Sequence, residues 1–304
     1  MTRFPTLTAG SHYRRVAATG VSAVFGTFGE LLQGAVPEED GDFLVTLPVA
    51  RWAMARFELH PESDEVLVWP SYKKKALHLT SMIMKDVGWP TGGILTINSM
   101  LPEGKGLASS SADLVATARA VANALDEPMP PRRIESYLAR IEPTDGVLYS
   151  SVVAYHHRSV RLRASLGSLP SMAVVSIDEG GEIDTVRFND IPKPFTAGDR
   201  REYARLLARI THAVARRDLV EVGRVATTSA LMNQALCHKW SLEAMTGICE
   251  SVGGLGVVVG HSGTTLGILL DTAAPDCPGR LAAAAQACQE LAGNVTVYRT
   301  LSFD

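Results

Sequence analysis

Two short strings hold the residues of this chain best suited to chemistry. The first is Leu101-Pro102-Glu103-Gly104-Lys105-Gly106-Leu107-Ala108-Ser109-Ser110-Ser111-Ala112. Gly104 and Gly106 lack a Cβ and let the backbone come close to a ligand. The serines stand where a helix should begin, and a helix start offers unpaired N–H groups and the positive end of the helix dipole. Together these make an anion site, with phosphate the obvious anion. The plainer reading is a Gly-Lys-Gly turn followed by serines that cap a helix. The loop is not a Walker A sequence, because no Gly-Lys-Ser/Thr follows at the required spacing. The second string is Glu142-Pro143-Thr144-Asp145, two carboxylates three apart at a helix-to-loop junction. Spacing alone leaves a functional pair and a solvated one equally open.

The elements around these strings are readable from periodicity. Gly92 to Met100 alternates apolar and polar residues, a half-buried strand leading into the loop. Beyond the loop, apolar residues at 114, 118, 121, 122 and 125 mark one face of a helix over 112–125. Met129-Pro130-Pro131 then breaks the chain before a helix over Arg132–Arg140 that delivers the acidic pair. Val16 to Phe25 reads as a strand ending in a glycine-punctuated turn over Gly26–Gly34. Strands are expected at 42–48, 53–60, 66–69, 172–177, 183–188 and 295–298, with a turn at Glu179–Glu182. Helices are expected at 76–87, 146–160, 200–217, 219–237, 241–251 and 278–291. Leu77, Met82 and Met84 read as ordinary core. Gly253 to Leu270 reads as two apolar strands around a tight Ser262-Gly263-Thr264 turn. A Ser/Gly/Pro-rich link at 165–170 suggests a domain boundary. Ser229 and Asn233, i and i+4 on a helix, could reach one ligand, although a surface pair is the commoner reading. His156 and His157 are adjacent and cannot both face one metal from a helix, so packing or surface roles are expected.

The string Pro102-x-x-x-Gly106-Leu107-Ala108-Ser109-Ser110-Ser111-Ala112 closely resembles the phosphate-binding loop of the GHMP kinases, the superfamily of galactokinase, homoserine kinase and mevalonate kinase. Its usual form is Pro-x-x-x-Gly-Leu-Gly-Ser-Ser-Ala, so Ala108 is a mild departure. Gly26-Thr27-Phe28-Gly29-Glu30-Leu31-Leu32-Gln33-Gly34 resembles the superfamily's first motif. Its form is that of the propanediol-utilisation branch, which includes the L-threonine kinase of cobalamin side-chain synthesis; Phe28 stands where cysteine is common there. Glu142-Pro143-Thr144-Asp145 is similar to the same branch. His261-Ser262-Gly263-Thr264 resembles the third motif, Ser-Gly-x-Gly, with Thr265 in place of the second glycine. The resemblance covers nearly the whole chain, with three motifs in order.

That resemblance implies a two-domain α+β fold, with an N-terminal domain like ribosomal protein S5 domain 2 (1–168) and a ferredoxin-like C-terminal domain (169–304). It implies ATP in the cleft between them, its phosphates on Pro102, Gly104, Gly106, Leu107, Ala108, Ser109, Ser110 and Ser111. Ser110 and Glu142, 32 positions apart (142 − 110), would hold Mg²⁺. Asp145 would accept the substrate hydroxyl proton. Lys105 would help neutralise phosphate, with a surface lysine at the loop tip as the equal alternative. Glu30 and Gln33, with Ser262, Gly263 and Thr264, would lie beside the substrate. Phosphoryl transfer needs these parts: charge neutralisation on the phosphates and a group that orients the attacking hydroxyl. The implied reaction is ATP-dependent phosphorylation of the side-chain hydroxyl of L-threonine or a similar hydroxy-amino acid. Alternatives are another GHMP small-molecule kinase, such as a homoserine kinase, or a ligand sensor of the same fold without turnover. A homodimer is known in some relatives, and no residue pattern here decides it.

Bulk properties are compatible with this. The 304 residues are 46% hydrophobic and 20% charged, an ordinary globular composition with room for a sizeable core. A net charge of −3 leaves no basic footprint for nucleic acid. Basic runs such as Lys73-Lys74-Lys75 and Arg200-Arg201 read as solvated faces. Four cysteines with no Cys-x-x-Cys pair suggest reduced thiols and a cytoplasmic setting. No stretch approaches the roughly 18 apolar residues of a membrane span. The N-terminus lacks a signal peptide's apolar block, and its first 15 or so residues read as a loose arm.

Overall fold

The computed structural model describes residues 18–38, 41–89, 92–181 and 191–303. The strands are β1 (Thr19–Ala35), β2 (Asp42–His60), β3 (Val66–Trp69), β4 (Gly92–Ser99), β5 (Val152–His156), β6 (Arg161–Gly167), β7 (Met172–Asp178), β8 (Gly256–Val259), β9 (Thr265–Asp271) and β10 (Thr296–Arg299). The helices are α1 (Lys74–Asp86), α2 (Ser109–Leu125), α3 (Pro131–Leu138), α4 (Ala197–Arg216), α5 (Leu219–Asn233), α6 (Leu242–Ser251) and α7 (Cys277–Ala292). All ten strands join one sheet in the order β10-β7-β9-β8-β1-β2-β4-β3, with β5 on β2 and β6 on β5.

The segment expected to turn at Gly26–Gly34 is instead the second half of β1. Register shifts at Phe25/Gly26, Thr27/Glu30 and Glu30/Leu32 absorb the glycines as bulges, which bend a strand without ending it. Gly29 takes φ +51°, and a Cβ there would stand 2.2 Å from the Val259 carbonyl oxygen. That close approach lets Glu30 pair with Val259, joining β1 to β8. The two strands expected at 42–48 and 53–60 are one long β2, which follows β1 along its whole length.

A second correction concerns 146–160, expected as a helix. It holds bends, then β5, and a turn into β6, paired as an antiparallel hairpin. Val152, Val153 and Tyr155 favour strand, and β5 is buried on both faces, so no period-2 signal marks it. The expected link at 165–170 consequently begins only after Gly167. Helix α5 stops at Asn233, short of the expected Cys237. The expected strand at 183–188, the end of the preceding turn and the N-terminal arm lie outside the described residues.

Helix α2 packs on β1 and β2, α1 on α2, and α5 on β8 and β1. Strand β7 is buried on both faces: Met172 and Val174 join the core under α2 and α4, whereas Ala173, Val175 and Ile177 face α6 and α7. Met82 and Met84 are core, as expected. Thr196 and Asp199 close a reciprocal capping box at the start of α4. All four cysteines are unpaired, and no described helix is long and apolar enough to cross a membrane.

Candidate active site

The two chemical strings meet at the N-terminus of α2. Ala108 precedes that helix in a left-handed conformation (φ 57°, ψ 31°), and no side chain caps the helix. The capping role open to the serines is therefore not taken. Ser110 Oγ donates to Glu142 Oε1, and Lys75 Nζ bonds the other oxygen, Glu142 Oε2. Ser111 Oγ accepts from the Asp145 backbone N–H at 3.0 Å and lies 3.4 Å from Asp145 Oδ2. Ser109 is buried. The loop itself is fixed from two sides. Gly29 N–H donates to the Gly106 carbonyl at 3.0 Å, and Thr27 N–H to that of Leu107 at 3.3 Å. On the other side Thr265 Oγ1 donates to the Lys105 carbonyl at 2.7 Å. Gly263 passes so close that a Cβ would lie 2.1 Å from that same oxygen.

These elements enclose a cavity of about 400 Å³. Its walls include Glu30, Gly104, Gly106–Ser111, Glu142, Asp145 and Ser262 from the expected set. Pro102, Lys105, Gln33, Gly263 and Thr264 do not line it. Lys105 Nζ turns to Asp178 Oδ2 (2.8 Å) and the Gly181 carbonyl (2.6 Å). Thr264 Oγ1 donates to Asp178 Oδ1 at 2.5 Å, and the Gly263 carbonyl accepts from the buried Lys239. Phe28 belongs to the core, its ring 5.1 Å from that of Tyr298. Gln33 lies behind the cavity with its backbone N–H on Ser229 Oγ at 3.0 Å. Ser229 and Asn233 are buried, not a surface pair.

Several wall residues were not singled out from the sequence. Lys73, Lys74 and Lys75, expected as a solvated face, all line the cavity. Lys73 Nζ bridges Glu103 and Asp113, each at 2.5 Å. The signal was present as three lysines at a helix start, but only the fold brings α1 against α2. His157 and His261 also line the cavity, their rings 4.7 Å apart.

Burial sets the electrostatics. The Asp145 carboxyl is pushed up to about 6 by desolvation, against the lowering effect of its Ser111 hydrogen bond and with a smaller push from the charge of Glu142. Glu30 is raised well above the usual carboxylate range, by burial and then by Asp145. His261 is held neutral by burial and by neighbouring His157. Burial would lower Lys73, but its bonds to Asp113 and Glu103 prevail and raise it.

A Ser hydroxyl and a carboxylate, both oxygen donors beside unpaired helix N–H groups, fit Mg²⁺, which takes one or two carboxylates and completes its sphere with water and phosphate. Among the described residues no cluster of three or more His, Cys, Asp or Glu side chains forms an all-protein metal cage. A cation here would share its ligands with a bound phosphate group.

Residues 72–151 match the family described as the GHMP kinases N-terminal domain. An L-threonine kinase from Citrobacter freundii is 26% identical over 179 residues, 58% of this chain and 62% of that enzyme. The chain thus aligns with less than two thirds of the length of that relative. The crystal structure of homoserine kinase from Cytophaga hutchinsonii superposes with a TM-score of 0.70 at 15% identity, covering 96% of this chain and 97% of the other. L. major mevalonate kinase in complex with R-mevalonate gives 0.65 at 15% identity, covering 95% and 97%. Residues 72–151 are thus similar to the GHMP kinases N-terminal domain, part of the chain is similar in sequence to L-threonine kinases, and the chain as a whole shares its fold with the solved homoserine and mevalonate kinases.

Proposed function

We propose that this chain is an ATP-dependent kinase that phosphorylates the side-chain hydroxyl of L-threonine or a similar hydroxy-amino acid. One observation carries the reading: Asp145 and the Ser110–Glu142 pair stand together at the uncapped start of α2, in a cavity large enough for substrates. The branch-like motifs and the relatedness to an L-threonine kinase support the substrate class.

On this reading the loop from Pro102 to Ser111 holds the ATP phosphates through backbone N–H groups at the helix start. Ser110 and Glu142 would hold Mg²⁺, which offsets charge on the β and γ oxygens when bound. Asp145 orients the acceptor hydroxyl and takes its proton. A carboxyl near 6 is well matched to that task at neutral pH, being mostly ionised yet basic enough to bind the proton. Ser111 fixes Asp145 from both its backbone N–H and its carboxylate. Glu30 and Ser262 border the substrate, while Gly263 and Thr264 shape the loop behind it. Lys105, engaged with Asp178, positions the phosphate loop and reaches phosphate only by exchanging that partner. Lys75, already on Glu142, is the nearer cation. The division at 168/169 and a cytoplasmic setting complete the proposal.

The test is ADP release with Mg·ATP across L-threonine, L-serine, L-homoserine, mevalonate and galactose, with identification of the phosphorylated product. Turnover confined to hydroxy-amino acids supports the reading. Turnover of mevalonate or galactose alone overturns the substrate class, and silence across the panel overturns the activity.

A further inference from the structure

Behind the main cavity lies a void of about 10 Å³, room for one polar atom. His157 and His261 line both spaces, so the void adjoins the main cavity at these two side chains. The void is bordered by Gln33 on β1 and Asn233 at the end of α5. Both side chains are almost wholly buried, 3% and 2% exposed. Gln33 Nε2 and Asn233 Nδ2 have no hydrogen-bond partner among the described residues. Their backbones are held elsewhere: Gln33 N–H by Ser229, and the Asn233 carbonyl by the N–H groups of Leu236 and Cys237.

Two buried amide donors without acceptors cost about 1–3 kcal/mol each, so a structure that keeps them invites an acceptor from outside. An ammonium group has nothing to accept with and cannot serve. A carboxylate can: it offers two oxygens and a charge, and Lys193 lies on the same wall. The void is too small for a whole ligand, so the inserted oxygen must end a molecule whose body lies in the main cavity.

We propose that Gln33 and Asn233 form a subsite for the carboxylate of a hydroxy-acid substrate whose hydroxyl lies at Asp145. This rests on the kinase reading only for the position of the hydroxyl. It assigns selectivity to the acid function: alcohols lacking a carboxylate are excluded, because their binding leaves both amides unpaired.

Binding is measured by calorimetry without ATP, using L-threonine, 3-hydroxybutyrate (acid without amine) and 1-amino-2-propanol (amine without acid). Both acids should bind, and the amino alcohol at least about tenfold more weakly. Asn233→Asp, nearly isosteric, sets a like charge against the carboxylate and should weaken both acids at least about tenfold while leaving ATP affinity unchanged. Gln33→Glu serves as the second variant should the first fail to fold, with the same result expected. The proposal is overturned if the amino alcohol binds as well as L-threonine. It is equally overturned if neither acid binds the wild type, or if the folded variant keeps wild-type affinity. Turnover is read separately. Threonine that binds by these criteria without ADP release upholds the subsite and ends the kinase reading. Equal turnover of acid and amino alcohol does the reverse.

Discussion

Replacing Asp145 by asparagine should make the protein more stable at pH 7.5 while removing its activity. The carboxyl moves from the ordinary 3.8 to about 6 because it is desolvated. The folded state therefore holds its proton more tightly than the unfolded chain does. Below pH 3.8 both states are protonated and the shift has no effect. Between about 4 and 6 the unfolded chain ionises first, so stability falls as pH rises, and above 6 the full cost is present. That cost is about 3 kcal/mol. Asparagine keeps the shape and a group for Ser111 but carries no charge to desolvate. With an unfolding entropy of about 2.1 cal/mol/K per residue, the gain corresponds to a Tm higher by roughly 5 °C at pH 7.5, shrinking to nothing near pH 4. Loss of a proton acceptor should lower kcat by 10² to 10⁴, or about 3–5 kcal/mol of transition-state stabilisation. The assays are thermal unfolding from pH 4 to 8 and ADP release over the same range. A variant no more stable than wild type at pH 7.5, or one retaining a tenth of the turnover, would refute the reasoning.

Glu142→Gln keeps a hydrogen-bond acceptor for Ser110 but removes the charge; the Mg²⁺ concentration for half-maximal turnover should rise about 10- to 100-fold, read by Mg²⁺ titration at fixed ATP, and chelation should silence the wild type. Ala108→Gly relieves a left-handed alanine at φ 57°; a conformational cost of about 1–2 kcal/mol is partly offset by glycine's unfolded-state freedom, leaving a gain of about 0.5–1 kcal/mol by urea denaturation. Lys73→Met strips Asp113 of its cation, and the side chain of Asp113 is 4% exposed; a loss of about 3–5 kcal/mol is expected at pH 7.5. That loss should lessen as pH falls and Asp113, already raised by burial, takes up a proton.

The site was legible where chemistry and local pattern coincide. The glycines and serines do lie between a strand and a helix, and the two acids beyond a helix end, and the fold brings Ser110 and Ser111 against Glu142 and Asp145. What the sequence hid falls into two kinds. Val152 to His156 are buried on both faces, so alternation vanished and a strand passed for a helix. Glycines in β1 signalled turns, yet a partner strand of matching length held them as bulges. The lysines at the start of α1, Lys73 to Lys75, were misread for a different reason. Their environment is created by Glu103, Asp113 and Glu142, which lie 30 to 67 positions away. Pairing over such distances leaves no mark on a local pattern. Gln33 and Asn233 show the same limit, since only β1 lying against α5 gives them a common neighbour.

The continuity of the sheet bears on how the chain is made. Strand β1 meets β8 where Glu30 pairs with Val259, and Phe28 on it packs its ring against that of Tyr298 on β10. Val49 on β2 bridges to Thr300, and the Pro48 carbonyl accepts from Leu301 N–H. Strands β1 and β2 thus wait for residues 256–301 before their contacts there are complete. A nascent chain would carry Phe28 uncovered, and β1 without its β8 partner, until about 220 further residues had emerged, a condition in which strands can pair with the wrong neighbour. Production of this protein should accordingly depend more on chaperone supply and translation speed than its final stability alone would suggest.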